Sequence, residues 1–326
     1  MLEKLDKKKK LLDSMRPFSK EALQNLERWF QIELTYTSNA IEGNTLTRAE
    51  TALVLEKGLT VGGKPLKDHI EAGNHLKALV KMKELAKTKL IKMSDIFSLH
   101  ELILHGIDDE NAGVMRSVNV RVSGSRVLFP DARKLARLLD DLEQWMAHSK
   151  TEHPVFRAAM AHYRLVTIHP FIDGNGRTAR LLMNLILIQH GFPPAVIGPK
   201  IRLKYINSLE EAQLGGDLKH FLNLIYECVD HSLDIYRRAF SESPETKVLE
   251  NTKLMRIGEL SKKTGESLAT LRYWVKMGLL EVAATTEAGY QLFTQDTPVR
   301  ISKIRKLQDQ RFSLGEILER LSKKNS

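Results

Sequence analysis

The chain has 326 residues, of which 42% are hydrophobic and 28% charged, a composition typical of a globular protein with one large core and a smaller second domain. A single cysteine, Cys228, excludes an internal disulfide, and no apolar run approaches the roughly 18 residues of a membrane span. The formal net charge of +10 favours acidic partners, and the start of the chain carries no secretion signal, so we expect a cytoplasmic protein without membrane contact.

Apolar residues recur at helical spacing through most of the chain before residue 240. From Lys20 the spacing predicts a helix through Ile41 that ends at Gly43, because glycine adopts the left-handed conformation that closes a helix without steric cost. Thr47 and Glu50 have the spacing of a capping box and open the next helix. Further helices are predicted over 68–85, 93–104, 131–148, 155–166, 176–190 and 217–240. The predicted fold class is therefore mostly α.

The one strand-like stretch covers residues 118–130. Valines alternate with polar residues there, a Ser-Gly-Ser turn follows, and a second apolar run ends at Pro130, which together predict a β-hairpin. A lone hairpin in a helical protein has an unpaired edge, to which an extended peptide can add as another strand. The alternative is a surface ribbon packed on the helices, and the sequence leaves both interpretations open.

A run of reactive residues, His169 to Arg180, lies between two predicted core helices. Gly174 and Gly176 let a ligand approach the backbone, and the free N–H groups that open the next helix point at the same place, which suits phosphate oxygens. Arg177 and Arg180 are three residues apart, so both guanidinium groups can converge on one polyphosphate. Because two arginines at a helix N-terminus oppose the helix dipole, a bound anion explains them better than helix stability.

Two residues of the same run supply the remaining chemistry. Asp173 is a hard oxygen ligand suited to Mg²⁺, and His169 has a pKa suited to taking a proton from a hydroxyl near neutral pH. A base, a metal and positive charge around the phosphate oxygens are what attack at phosphorus requires. A purely structural loop would account for each residue alone but not for all of them together. The run therefore predicts a nucleotidyl transferase.

The run from His169 to Arg180 resembles the Fic family signature, His-x-Phe-x-(Asp/Glu)-Gly-Asn-Gly-Arg-x-x-Arg, at every defined position, and the likeness extends over roughly residues 30–230. The resemblance implies AMPylation, in which AMP moves from the substrate ATP to a Ser, Thr or Tyr hydroxyl of an unidentified target protein. By this resemblance His169 is the base and Asp173 the Mg²⁺ ligand. Asn175, with the backbone of Gly174 and Gly176, would bind the α-phosphate, and Arg177 and Arg180 would bind the β- and γ-phosphates. The hairpin resembles the family's flap, which aligns a target segment by strand addition, and its docking residues are Val120, Arg121, Val122, Val127 and Leu128.

The stretch from Ser38 to Gly43 resembles the family's inhibitory motif, (Ser/Thr)-x-x-x-Glu-(Gly/Asn). Glu42 falls at the negative end of a helix dipole, so it should pair with a cation, and the resemblance nominates Arg180. Such a pair would occupy the γ-phosphate position. The alternative is a solvated glutamate before a C-cap glycine. We therefore expect residues 1–95 to be a helical region with an inhibitory helix at about 20–43, followed by a Fic catalytic core over 96–240.

The chain after residue 240 reads as a separate, more basic module. Residues 241–254 are polar and broken by proline, which predicts a linker, and 255–326 reads as helix, glycine turn, helix and wing. This module resembles the winged helix-turn-helix domain of MerR-type regulators, with fewer arginines than that family usually carries. This module could bind DNA, dock a target protein, or be a stable appendage with a charged, solvated surface. The candidate DNA contacts are Lys262, Lys263, Arg272 and Lys276.

The leading hypothesis is an autoinhibited, Mg²⁺- and ATP-dependent protein adenylyltransferase. A second enzymatic hypothesis keeps the same site and uses Glu42 to orient a water that removes AMP from a modified protein. A third is a DNA-binding regulator that only senses ATP. The sequence leaves open the target, the releasing signal and the oligomeric state, for which a homodimer is one alternative.

Overall fold

The computed structural model describes residues 1–88, 90–240, 254–285, 291–310 and 312–322. The chain forms two compact units, Met1–Ser241 and Glu242–Ser326, each with its own hydrophobic core. The predicted linker, 241–254, lies almost entirely outside the described residues.

The first unit is built of helices. Within its described residues the α-helices are α1 (Leu2–Ser14), α2 (Lys20–Ile41), α3 (Arg48–Lys57), α4 (Leu66–Leu85), α5 (Met93–Leu104), α6 (Leu135–His148), α7 (Pro154–Ile168), α8 (Asn175–Gln189), α9 (Arg202–Gln213) and α10 (Lys219–Phe240). Short 3₁₀ turns precede α6, follow it and precede α9. The mostly α fold class predicted from the sequence is confirmed.

Helix α8 is the centre of this unit. Nearly every residue from Asn175 to Leu187 is buried, as expected of a helix that other helices surround. Helices α4, α5 and α7 all pack against it, and α7 does so most extensively. Because the loop joining α7 to α8 is held at both ends by this core, its side chains are placed by rigid elements.

The ends of α2 and α3 follow the predicted chemistry. Helix α2 ends at Ile41, and Gly43 follows with φ +99°, in the left-handed region where glycine is favoured. Thr47 and Glu50 form the complete capping box that opens α3. Glu42 therefore lies between the last residue of α2 and Gly43, and the capped start of α3 follows a few residues later.

The predicted strand pairing over residues 118–130 is wrong: no strand forms there, although all of these residues are described. The chain does reverse direction, because the N–H of Ser125 donates to the carbonyl of Val122 over 3.1 Å. Polar side chains from outside the predicted hairpin form hydrogen bonds with backbone groups that would otherwise be available for strand pairing. The Arg116 guanidinium donates to the carbonyls of Val118 and Pro130, and the N–H of Arg126 donates to Glu210. We call residues 118–130 the flap.

The second unit contains, within its described residues, a three-stranded antiparallel sheet and four short helices. The strands β1 (Met255–Arg256), β3 (Gln291–Phe293) and β2 (Ala284–Thr285) lie in that order, with Met255 opposite Phe293 and Ala284 opposite Leu292. The helices are α11 (Ile257–Thr264), α12 (Leu268–Lys276), α13 (Thr297–Asp309) and α14 (Leu314–Ser322). Gly265, with φ +74°, makes the tight turn between α11 and α12. A helix-turn-helix with a wing was predicted here, and the tip of that wing, 286–290, lies outside the described residues.

Two expectations from composition can be compared with the fold. Among the described residues, no helix is both long and apolar enough to cross a bilayer. Cys228 is buried in α10, and burial raises the pKa of its thiol to about 12. The thiol is therefore protonated and unreactive at neutral pH.

Candidate active site

The imidazole of His169 is held in one tautomer. His169 ends α7 in the left-handed conformation, with φ +51°, which non-glycine residues seldom adopt. Its Nδ1 lies 3.2 Å from the carbonyl of Val166, and because a carbonyl only accepts, Nδ1 carries the proton. Burial lowers the pKa of His169 to about 4. At neutral pH the ring is therefore uncharged, and its Nε2 lone pair can accept a proton.

A flap residue that the sequence did not single out covers this imidazole. The ring of Phe129 stacks on the His169 ring with centroids 3.9 Å apart. Of the predicted docking residues, Val127 is buried, Val120 is half-buried, and Arg121, Val122 and Leu128 are exposed. Leu128, next to Phe129, has an exposed fraction of 70%. One residue of the flap therefore contacts the base, while its neighbours form an exposed, partly apolar surface.

Two glycines let the backbone of the loop come close to other groups. Gly174 has φ +77°, and a Cβ there would lie 3.1 Å from Nε2 of His100. A Cβ on Gly176 would collide with the Glu42 carboxylate and lie 3.0 Å from Nη1 of Arg180. The first N–H groups of α8 have no partner within the helix and carry the positive end of its dipole. An anion can therefore reach these amides because position 176 has no side chain.

The side chain of Asn175 has a different contact from the one expected. Its Oδ1 accepts from the N–H of Phe171 over 3.0 Å, and its Nδ2 donates to the carbonyl of the same residue over 2.9 Å. The amide is buried and closes the loop on itself. This arrangement leaves the backbone of Asn175, rather than its side chain, to bind a phosphate.

The Asp173 carboxylate has the exposure and the contacts expected of a residue that binds Mg²⁺. Its side chain is 57% exposed, one oxygen accepts from the N–H of Gly174, and the other lies 3.2 Å from Nη2 of Arg177. No group of three His, Cys, Asp or Glu side chains able to hold a metal ion occurs among the described residues. Mg²⁺ does not need such a group, because it binds through one or two carboxylates and takes its other ligands from phosphates and water.

Arg177 is engaged with carboxylates. It is almost fully buried, with Nη1 3.0 Å from Glu71 on α4 and Nη2 facing Asp173. Glu71 also accepts from Nδ2 of Asn44, in the segment that follows α2. The guanidinium predicted to bind phosphate therefore holds the Asp173 carboxylate, the predicted magnesium ligand, in place from one side. Glu71 and Asn44 were not identified from the sequence, because nothing in their local pattern indicates a tertiary ion pair.

Arg180 has the contact with Glu42 that the motif resemblance predicted. Its Nη2 lies 2.7 Å from Oε1 of Glu42, with exposed side-chain fractions of 6% for Arg180 and 34% for Glu42. Ser38 accepts from Nε through its hydroxyl and from Nη2 through its carbonyl, both over 2.9 Å. Nη1 lies 3.4 Å from the hydroxyl of Tyr205 on α9. Burial is the largest single effect and lowers the pKa of Arg180, but the charges and hydrogen bonds of Glu42 and Tyr205 together outweigh it and raise the pKa overall.

A second histidine supports the loop from behind. His100 on α5 stacks on Phe171 with ring centroids 3.6 Å apart. Its Nδ1 accepts from the N–H of Gly113, so its Nε2 donates to the carbonyl of Asp173 over 2.9 Å. Burial lowers the pKa of His100 to about 4, which keeps this tautomer uncharged at neutral pH. The side chain thereby fixes the backbone that carries Asp173.

In the second unit the four candidate DNA contacts are all exposed. Arg272 and Lys276 lie one turn apart on α12 and share a surface with the exposed ring of Tyr273. Lys262 and Lys263 lie in the last turn of α11, where Lys263 donates to Gln295. A positively charged and partly aromatic surface on the second helix of a helix-turn-helix can contact phosphates and base edges.

Residues 90–187 match the model of the Fic/DOC family, and residues 255–324 match that of the MerR HTH family regulatory protein. Among curated proteins, the chain is 39% identical over 247 residues to "Protein adenylyltransferase Fic" of Drosophila melanogaster, covering 75% of this chain and 49% of that one. The protein of the same name from Drosophila pseudoobscura pseudoobscura is 36% identical over 274 residues, covering 83% and 52%. The chain spans about half the length of these relatives.

Solved structures give the same grouping. Fic-1 from C. elegans has a TM-score of 0.66 and 33% identity, covering 72% of this chain and 71% of that one. A Fic domain containing signaling protein from Bacteroides thetaiotaomicron has a TM-score of 0.67 and 30% identity, covering 73% of this chain and 96% of that one.

Proposed function

The chain belongs to the Fic family, and from that premise we propose that it is an autoinhibited protein adenylyltransferase, which transfers AMP from ATP to a hydroxyl of a target protein. The observation that carries the proposal is the imidazole of His169, which is uncharged, has Nε2 free to accept a proton, and lies in the loop that leads into α8. A site that only senses ATP has no use for a base in this state. The curated relatives named protein adenylyltransferase support the same reaction.

The reaction assigns one step to each group. Nε2 of His169 takes the proton of the target hydroxyl as its oxygen attacks the α-phosphorus, and pyrophosphate leaves as the bond to the bridging oxygen breaks. The amides that open α8 stabilise the charge that develops on the α-phosphate. Arg180 binds the γ-phosphate once Glu42 has released it. The exposed residues of the flap, whose Phe129 stacks on His169, align the target segment with the base.

The metal in this proposal is Mg²⁺, bound by Asp173. When bound, it neutralises negative charge on the phosphate oxygens. Arg177, fixed by Glu71, holds the carboxylate of Asp173 at the start of α8. The conformation of this ligand is thus set by a buried ion pair and by the contact of His100 with its backbone carbonyl.

Inhibition follows from competition for Arg180. Its guanidinium donates to Ser38 and Glu42, both at the end of α2, so the group that would bind a γ-phosphate is already fully engaged. The Glu42 carboxylate also lies against Gly176, where a phosphate would approach the backbone. ATP and Glu42 therefore compete for the same cation and the same space.

We test the reaction with ATP labelled at either the α- or the γ-phosphorus. Added to lysate with Mg²⁺, the chain should increase the α-label on protein above that of lysate alone but leave the γ-label unchanged, and EDTA should prevent the increase. An increase in γ-label without α-label would indicate phosphorylation and contradict the proposal. The hydrolase hypothesis predicts instead that the chain releases AMP from a previously labelled protein, and the ATP-sensing hypothesis predicts no covalent label with either nucleotide.

The second unit supports a further candidate function, the binding of DNA through α12, because its exposed basic residues lie on the helix that MerR-like domains present. The full chain should retard mixed genomic fragments at low salt. Replacing both Arg272 and Lys276 with serine should weaken binding, and the slope of log affinity against log salt should fall by about 0.9 for each phosphate that the variant no longer neutralises. The control replaces two exposed lysines of the first unit, Lys10 and Lys20. Absence of retardation at low salt, or equal weakening in the control, contradicts DNA binding by α12.

A further inference from the structure

Arg116 lies just before the flap and is almost completely buried, with an exposed fraction of 2%. Its guanidinium donates to three backbone carbonyls: from Nε to His169 over 2.8 Å, from Nη1 to Val118 over 2.7 Å, and from Nη2 to Pro130 over 2.7 Å. Its own backbone N–H donates to the carbonyl of Pro170 over 2.9 Å. One side chain therefore joins both ends of the flap to the residue that carries the base.

The partners of this arginine are unusual for a buried charge. Among the described residues, no carboxylate lies within ion-pair distance of Arg116, and the charge of Asp131 acts on it only from farther away, although burying a guanidinium is costly. Three charge-assisted hydrogen bonds offset that cost, and they use the planar fork of the side chain. A lysine has one ammonium group and cannot reach three carbonyls on separate segments at once. The geometry therefore requires arginine, and it substitutes for the strand pairing that the flap lacks.

The contact with His169 falls where the backbone is strained. A left-handed conformation at a histidine costs free energy and persists only where the surroundings hold it. Arg116 holds the carbonyl of His169, the carbonyl of Val166 holds the ring through Nδ1, and Phe129 of the flap covers the ring face. The orientation of the base and the position of the flap thus depend on the same guanidinium.

We infer that Arg116 is a positioning residue that sets the distance between a target segment docked on the flap and Nε2 of His169. The inference rests on the proposed function. Because the guanidinium of Arg116 is buried and donates to three backbone carbonyls, we assign it a positioning role and no direct contact with the nucleotide or the target hydroxyl. Its effect is on which acceptor the site uses: a hydroxyl held at the right distance, or water, which needs no alignment by the flap.

The test measures two products of one site. In the Glu42→Gly background with α-labelled ATP, attack by a protein hydroxyl gives labelled protein, whereas attack by water gives free AMP, with pyrophosphate released in both. Arg116→Met and Arg116→Lys should lower the ratio of labelled protein to free AMP roughly 10- to 100-fold, because a displacement of about 1 Å has effects of that size. Both products arise from the same active molecules, so the ratio does not depend on how much of a variant is folded.

The control is Arg133→Met, which removes an arginine with a highly exposed side chain close to the flap and should leave the ratio unchanged. A merely structural role of Arg116 predicts that both products fall together at a constant ratio, and that result overturns the inference. A normal ratio in Arg116→Lys also overturns it, because charge alone would then suffice. If the Glu42→Gly parent forms neither labelled protein nor free AMP, the proposed function itself fails, which is a distinguishable outcome.

Discussion

Replacing Glu42 with glycine is expected to raise AMP transfer at low ATP roughly 5- to 150-fold, the range typical of the coupling between two competing sites. The carboxylate holds Nη2 of Arg180 at 2.7 Å and lies against Gly176. Removing it frees both the cation and the approach to the α8 amides. Ser38 and Tyr205 still contact Arg180, so the guanidinium keeps its position after the charge is removed. The measurement is the initial rate of label transfer from α-labelled ATP, including transfer to the chain itself.

Glu56→Gly is the matched control. Glu56 lies in the last turn of α3, so the change places the same residue near a helix end without touching Arg180. We expect its rate to equal that of the unmodified chain. A Glu42→Gly variant that transfers label no faster than this control would show that Glu42 does not restrain the site.

Replacing His169 with alanine is expected to reduce transfer about 10²- to 10⁴-fold, the contribution of a well-placed general base. The reason is the free lone pair on Nε2, which no other described side chain of the loop supplies at neutral pH. Nucleotide binding should be retained, because the amides of α8 and Arg180 are unchanged. The measurement compares transfer rates in the Glu42→Gly background and, separately, the affinity for a non-hydrolysable ATP analogue.

His148→Ala serves as the control, since His148 is an exposed histidine at the end of α6. Its transfer rate and its affinity should both match those of the parent. If His169→Ala transfers label at the parental rate, the base assignment is wrong. If the variant also binds the analogue more weakly, His169 has a binding role that the proposed reaction does not include.

The contact between Glu42 and Arg180 was predictable because each residue lies in a short motif with its own physical signal. Glu42 precedes a glycine that ends a helix, and Arg180 lies in the second turn of α8, a helix with one glycine just before its start and another in its first turn. Both helices were clear from apolar periodicity. To predict the Glu42–Arg180 ion pair, it was then only necessary to know that the end of α2 packs near the start of α8, and the family resemblance implied this.

Partners chosen through tertiary packing were not predictable. Arg177 pairs with Glu71, a residue 106 positions earlier in the chain. The Asn175 amide binds the backbone of Phe171, only four residues away, but this contact depends on the shape of the loop, which the sequence pattern does not show. The flap failed as a hairpin for a related reason. Its valines alternate as in a strand, but Arg116 takes the carbonyls that a partner strand would have used. The alternation of apolar and polar residues indicates which face of a strand would be buried. Whether two strands pair depends also on which other groups hydrogen-bond to their backbones.

Two helices were missed for lack of local signals. Helix α1 is rich in lysine, and only Leu5 and Leu12 are buried, so its sequence resembles a charged tail. Its lysines pair with Asp230 and Asp234 of α10, which no local pattern indicates. Helix α9 contributes Tyr205, whose hydroxyl contacts both Arg180 and His162. The apolar periodicity of α9 is weak because Leu203 and Ile206 are exposed while Ser208 is buried.

The state of Cys228 makes the first unit convenient for spectroscopy. Cys228 is the chain's single cysteine, and its buried thiol stays protonated at neutral pH, so maleimide reagents should not modify it. A cysteine introduced at the exposed Val122 of the flap would then carry a fluorophore or spin label alone. Distances from such a label could follow the flap as nucleotide and acceptor arrive, without first engineering a thiol-free background.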